Sequence, residues 1–331
     1  MKVASFTSHG GDLRIGVKVG DGIADLTAAL EKYLVDEGGT DPAYAIEVAA
    51  ERLPNSMLDL IKREEEGQAD LRLTAAYISR VAQKGKTLFS PCGDKITYGL
   101  EEVTLLTPVP QLDRRIFNLE YNYPAYEKVY GTIPPKDGTT AMFMMDPETI
   151  SGPGNAIKWP TTATEVTSAV ELGIIVGKDG KRIPESRALD HVFGYTIVND
   201  LTGISILRGM GPGDLCLPNG FYFTRAMIMD TFQPVGPFIA LKDEIGNPQA
   251  LKGELRVNGK AVSKGNTKDM RCSVAKLIEF LSQDITLQAG DLISTGAMGT
   301  DAFPPEASVV VGDTIEAEIT EIGVLRNSVV A

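Results

Sequence analysis

Histidine is nearly absent from this chain: His9 and His191 are the only two in 331 residues. Histidine is the side chain whose ordinary titration falls near neutrality, so any imidazole base must be one of these. His9 sits in a glycine-rich turn between two predicted strands, and His191 follows Asp190 just ahead of another. Neither supports a Ser-His-Asp triad or a Cys-His pair, and both read as surface or hydrogen-bonded polar residues. Cysteine is as scarce: Cys92, Cys216 and Cys272 are too few and too scattered for a disulfide framework or a zinc site. They read as reduced, packed thiols. An excess of positive charge is missing too, because 44 acidic against 32 basic residues leave a net −12. That balance repels phosphate backbones and anionic lipid, so neither nucleic acid nor a membrane is an expected partner. No apolar run is long enough to span a bilayer. The opening MKVASFTSHGGDLRIG lacks a signal-peptide core, which makes the cytoplasm the expected location. The glycines at 209, 211 and 213 have no Lys-Ser/Thr after them, so RGMGPGD reads as a surface loop and not a phosphate cradle.

What is present suffices for a folded core: 43% of the residues are hydrophobic. Residues 2–25 alternate apolar and polar side chains with glycine punctuation, the pattern of short strands. AYAIEVAAER and LRLTAAYISRVAQ carry apolar residues at helical spacing, and MLDLIKREEEG reads as a helix closing in a solvated charge run. Pro108 and Pro110 disfavour helix and mark a boundary. The expected organisation is an N-terminal α/β domain over residues 1–109 and a strand-rich domain over 110–331. In the second part, Asn258-Gly259 between β-type runs predicts a hairpin, because both turn positions must tolerate positive φ. VAKLIEFLSQ predicts a helix with Val274, Leu277, Ile278 and Leu281 on one face and Ser273 as its cap.

With imidazole and thiol set aside, chemistry has to come from carboxylates. Glu171 opens the strand ELGIIVG and Asp200 closes GYTIVND, each placed where a strand meets a loop and a polar group can face a cleft. A turn or capping role is the alternative for both.

These residues carry a resemblance. VELGIIVGKDGKRI followed by HVFGYTIVNDLTG resembles the metal-binding strand and the following segment of the fumarylacetoacetate hydrolase superfamily, enzymes on 2-oxo and β-diketo acids. MDTFQPVGPFIAL, LRVNGKAVSKGNTKDM, KLIEFLSQDITLQAGDLISTGAMG and VGDTIEAEITEIGVLRN follow in the family's order, and RIGVKVGDGIADLTAAL and NYPAY fit upstream. The resemblance implies an α+β fold, a small N-terminal α/β domain and a mixed β-sandwich roll, assembled as a homodimer.

It also implies a diverged site. The family holds Mg²⁺ or Mn²⁺ with Glu-x-Glu and the aspartate of Asn-Asp; here Glu171 and Asp200 remain, and Ala169 stands at the first glutamate. The lid His and Glu become Tyr126 and Val129, two lysines become Asp146 and Met227, an Arg-Asp pair becomes Ile204 and Ser205, and a threonine becomes Ala297. Asn122, Tyr123 and Arg225 map to the substrate side. Met142, Met144, Met145, Met227, Met229 and Met298 fall in segments expected to line the cleft, with Met142/Met144 and Met227/Met229 sharing strand faces, unless they are ordinary core residues. The expectation is metal-independent acid–base chemistry on a small 1,3-dicarbonyl, 2-oxo acid or aromatic-pathway intermediate, by lyase, decarboxylase, tautomerase or cyclase action. Asp146, Glu171 and Asp200 would act with the Tyr126 hydroxyl, and Glu171 with Asp200 would offer at most a weak Mg²⁺ site. The alternatives are a Mg²⁺-dependent C–C hydrolase with Glu120 or Glu165 as the substituted ligand, and a catalytically silent binding protein.

Overall fold

The computed structural model divides the chain into two units, Met1–Gln111 and Leu112–Ala331. It describes residues 1–8, 11–82, 86–110, 115–124, 140–208, 220–299 and 305–331, without the side chains of 208 and 220–223. His9, Cys216, the loop glycines at 209–213, Tyr126 and Val129 lie outside the described residues.

In the first unit the alternating stretch forms β1 (Lys2–Ser8), β2 (Leu13–Val19) and β3 (Gly22–Asp25), paired in antiparallel sequence. β4 (Thr97–Gly99) adds to β3, and β5 (Val103–Leu105) to β1. Asp25 ends β3 and caps α1 (Leu26–Asp36), accepting from the Ala28 amide at 3.0 Å and from Arg14 at 2.6 Å. α2 (Pro42–Arg52) follows, then α3 (Met57–Lys62) and α4 (Glu64–Val81). The run KREEEG does not close a helix. Glu64 has φ of +46° and begins a new one, so Glu64, Glu65 and Glu66 form the first turn of α4. Acidic side chains are favoured there by the positive end of the helix dipole.

The second unit is built on two sheets. The first runs β12-β11-β10-β15-β6-β7, where β6 is Ile116–Glu120, β7 Ala141–Met145, β10 Val166–Val176, β11 Val192–Thr202, β12 Gln233–Leu241 and β15 Leu292–Ala297. β8 (Ile150–Ser151) pairs with β12 and β16 (Ser308–Val309) with β10. The second sheet runs β14-β13-β17-β18-β9, with β9 Ala156–Lys158, β13 Lys252–Val257, β14 Lys260–Asn266, β17 Thr314–Ile319 and β18 Gly323–Val330. Asn258 and Gly259, at φ of +50° and +77°, turn β13 into β14 as the Asn-Gly pair predicts. Short helices α5 (Ile204–Arg208) and α6 (Gly220–Met227) precede β12. α7 (Val274–Ser282) carries the expected face, capped by Ser273 through the Lys276 amide at 3.1 Å.

The sheets share one core. Val170, Leu172 and Ile174 of β10 and Tyr195, Ile197 and Leu201 of β11 cluster with Leu255, Ile315, Ala317 and Leu325 of the second sheet. Side chains alternate across a strand, so Ala169, Glu171 and Gly173, with Thr196, Val198 and Asp200, occupy the other face. Gly173 has no room there for a side chain, since a Cβ would meet Thr196 Cγ2 at 2.8 Å. Among the described residues no helix is long and apolar enough to cross a membrane.

Candidate active site

That other face collects carboxylates. Ala169 is registered opposite Asp200, and Glu171 opposite Val198. Glu171 and Asp200 are therefore diagonal neighbours on adjacent strands, roughly 7–8 Å apart at their Cα atoms. β15 lies on the other side of β10 and β6 beyond it. Phe117 and Leu119 of β6 join the core, so Asn118 and Glu120 alternate to the acids' face. Glu171, Asp200 and Glu120 are 2%, 4% and 3% exposed. Gln233 opens β12, also buried on this face, two residues before Val235, which pairs with Val198.

Each acid has fixed partners. Glu171 Oε2 accepts from Ser294 Oγ at 2.6 Å and from the Gly296 amide at 3.0 Å. Asp200 Oδ1 accepts from Asn118 Nδ2 at 3.3 Å, and Asn118 Oδ1 accepts from Gln233 Nε2 at 2.8 Å. Removal from water pushes the Glu171 carboxyl up to about 7, and its two donors restrain the rise. Asp200 lies well above the usual carboxylate range, through desolvation first and then the negative charges of Glu171 and Glu120. Both shifts favour the protonated form, and the two neighbouring carboxyls compete for protons.

The other predicted positions scatter. Asp146 is exposed and caps a single 3-10 turn through the Glu148 amide at 3.0 Å; the structure does not bring it to Glu171 and Asp200. Arg225, mapped to the substrate side, lies on helix α6 and is exposed. Met227 ends that helix, buried, and Met229 follows in a turn, so the shared strand face expected of them does not exist. FTRAMIMD is apolar enough to suit either period, which is why short apolar runs misread. Met142 and Met144 do share a face, but it is the wrong one: they pair with Leu119 and Phe117, across the strand from Asn118 and Glu120. Met144 is 48% exposed, whereas Met145 is buried on the acids' side. Met298 belongs to the core, against Gly253. Asn122 is wholly buried, its amide donating to Thr295 O at 3.0 Å and accepting from Cys272 N at 2.9 Å. Tyr123 is buried beside it, and burial drives its hydroxyl far above ordinary tyrosine. His191 Nδ1 lies 3.0 Å from Lys178 O. Glu165 accepts from Ser308 Oγ at 3.5 Å and does not join the acids.

Asn118, Gln233 and Ser294 escaped the sequence reading. A signal existed for the first: N118-L119-E120 places polar residues at alternate positions of a strand buried along its whole length.

Residues 115–330 match the fumarylacetoacetate (FAA) hydrolase C-terminal family. An oxaloacetate tautomerase of Bacillus subtilis (strain 168) is 32% identical over 285 residues, 84% of this chain and 88% of that protein. The fumarylacetoacetate hydrolase of psychrophilic Exiguobacterium antarcticum superposes with a TM-score of 0.72 at 28% identity, covering 100% of this chain and 99% of that one. The maleylpyruvate hydrolase of Sphingobium sp. SYK-6, in complex with manganese (II) ion and pyruvate, gives 0.66 at 29% identity, covering 100% and 99%. Ala169 ends at Cβ opposite Asp200, Asn118 Nδ2 already points at Asp200 Oδ1, and among the described residues no three His, Cys, Asp or Glu side chains converge on one point.

Proposed function

The chain belongs to the fumarylacetoacetate hydrolase family, and on that premise we propose that it catalyses proton transfer of the tautomerase or isomerase type on an enolisable 2-oxo acid or 1,3-dicarbonyl. One observation carries this reading: Glu171 and Asp200 are buried as diagonal neighbours on one sheet face, with Ala169 registered opposite Asp200. Ketonising an enol takes a proton from oxygen and puts one on carbon, so a base and an acid must be present together. Two desolvated carboxylates sharing one proton meet that need. Glu171, whose Oε2 accepts from Ser294 and Gly296, is the better-stabilised anion and removes the enol proton. Asp200, crowded by Glu171 and Glu120, holds its proton and delivers it to carbon. The pair begins and ends with one proton, and an exchange between the two acids restores the starting state.

No cofactor enters this reading. Met227, buried at the end of α6, stands where the resemblance puts a lysine, which favours a less anionic substrate than a dicarboxylate. Hydrolysis of a C–C bond needs an activated water, and Tyr126 and Val129, which the resemblance maps to the family's lid His and Glu, offer no good base, since a tyrosine ordinarily titrates at about 10. The assembly the resemblance implies is a homodimer, which light scattering checks.

The test is ketonisation of enol-oxaloacetate and of an acylpyruvate enol, followed by loss of enol absorbance. Acceleration is expected, strongest with the monoanionic enol, without cleavage to two acids. Glu171→Gln and Asp200→Asn should each lower kcat by roughly 10²–10⁴-fold. No acceleration over buffer with either enol, or ready cleavage of the acylpyruvate, defeats the proposal.

A further inference from the structure

Asn118 and Gln233 take no part in the proton exchange, yet both are buried on the acids' face. They arrive from strands well separated in the sheet, β6 and β12, with β15, β10 and β11 between. Burying a side-chain amide is costly unless its groups find partners. Here two amides and one carboxyl form a directed chain: Gln233 Nε2 to Asn118 Oδ1 at 2.8 Å, then Asn118 Nδ2 to Asp200 Oδ1 at 3.3 Å. The first bond orients the second. With its oxygen committed to Gln233, Asn118 presents N–H and not a lone pair to Asp200.

The charges acting on Asp200 are those of Glu171 and Glu120, both negative. A buried site of that kind needs positive potential from a cation, a proton or an oriented dipole. The residue registered opposite Asp200 is Ala169, which has no ligand atom to share with an ion. The Oδ1 lone pair directed at Asn118 already has a hydrogen in front of it. We infer that the Gln233–Asn118 amide chain is a built-in replacement for a divalent cation at Asp200: it covers that oxygen, supplies the partial positive charge of an N–H, and keeps divalent ions out. Asn118 and Gln233 are then positioning residues, acting through Asp200. The inference rests on the metal-free proton-transfer reading but is tested without turnover.

Manganese(II) is the probe, with the free ion followed by electron paramagnetic resonance during titration of the full-length protein. Wild type and Ala169→Glu should bind weakly, because a third carboxylate alone does not uncover Asp200. Ala169→Glu combined with Asn118→Ala should bind roughly 10–100-fold tighter than Ala169→Glu, the range typical of groups that control a metal ligand. Gln233→Met in the Ala169→Glu background should give part of that gain, by freeing Asn118 to turn its oxygen towards the ion. Should Asn118→Ala fail to fold by circular dichroism, Asn118→Ser and Gln233→Met carry the same comparison. Tight one-to-one binding by wild type overturns the inference. So does an affinity in the Ala169→Glu background that stays unchanged or falls when the amide is removed. A protein with no tautomerase activity that shows the expected manganese pattern leaves this inference standing and defeats only the functional proposal.

Discussion

Ionising Glu171 in its buried position costs the folded state free energy that the unfolded chain, with its carboxylates in water, does not meet. Its carboxyl rises from 4.5 to about 7 on folding, chiefly by desolvation. The folded state therefore binds more protons between those values, and stability falls as pH increases through that window. The contribution is fully present below about pH 4.5 and lost above about 7. Glu171→Gln removes the ionisation, so its melting temperature should decline less than wild type's over that interval. Parallel pH series by scanning calorimetry measure this, and identical slopes would show that Glu171 does not carry the linkage. Glu171 and Asp200 stood out in the sequence through the polar breaks they make in apolar runs, but the expectation that each sits where a strand meets a loop is corrected: Glu171 is the sixth residue of eleven-residue β10, and Asp200 lies two residues inside the end of β11. Asn118 and Gln233 did not stand out, since they meet Asp200 only through a strand order that no local pattern encodes.

Elements read best where the signal is local. The Ser273 cap and the Asn258-Gly259 turn each depend on a few adjacent residues, and both formed as their residue types require. Ser273→Ala should cost about 1 kcal/mol by orphaning the Lys276 amide, which corresponds to roughly 2–4 °C in Tm. Gly259→Ala is a cleaner test of backbone strain. A Cβ there meets nothing within 4 Å, so the penalty comes from φ of +77° alone and should be about 1–2 kcal/mol. Denaturant midpoints measure both, and a neutral Gly259→Ala would mean that the turn relaxes. Helix α6 and the charge run at Glu64 misled because their residue types suit two structures. Apolar FTRAMIMD satisfies either period, and consecutive acids suit either a solvated helix end or a helix start.

At the scale of the whole molecule, the charge of −12 and a pI of about 4.8 set the behaviour toward other macromolecules. The protein should pass through heparin or duplex DNA columns at moderate salt and be least soluble near its pI. Retention on heparin that falls with added salt would reveal a basic surface that the net charge conceals. The family fold was legible because its landmarks run in order along most of the second unit, whereas the lining of the site was not, because it depends on which face each strand residue takes. β10 makes the point. Its even-numbered residues hold the two sheets together and its odd-numbered residues lie on the face of the buried acids. For inheritance this means that substitutions at 169 or 171 can rewrite the reaction while the core stays intact, which is how a lineage could drop a glutamate at Ala169 and keep its shape. Losing one codon between 166 and 171 is another matter, because it would drive Glu171 into the oily interior and turn core residues outward. Natural variation along this strand should therefore consist of replacements and almost never of length changes, and a deletion library should recover none that accumulate in cells.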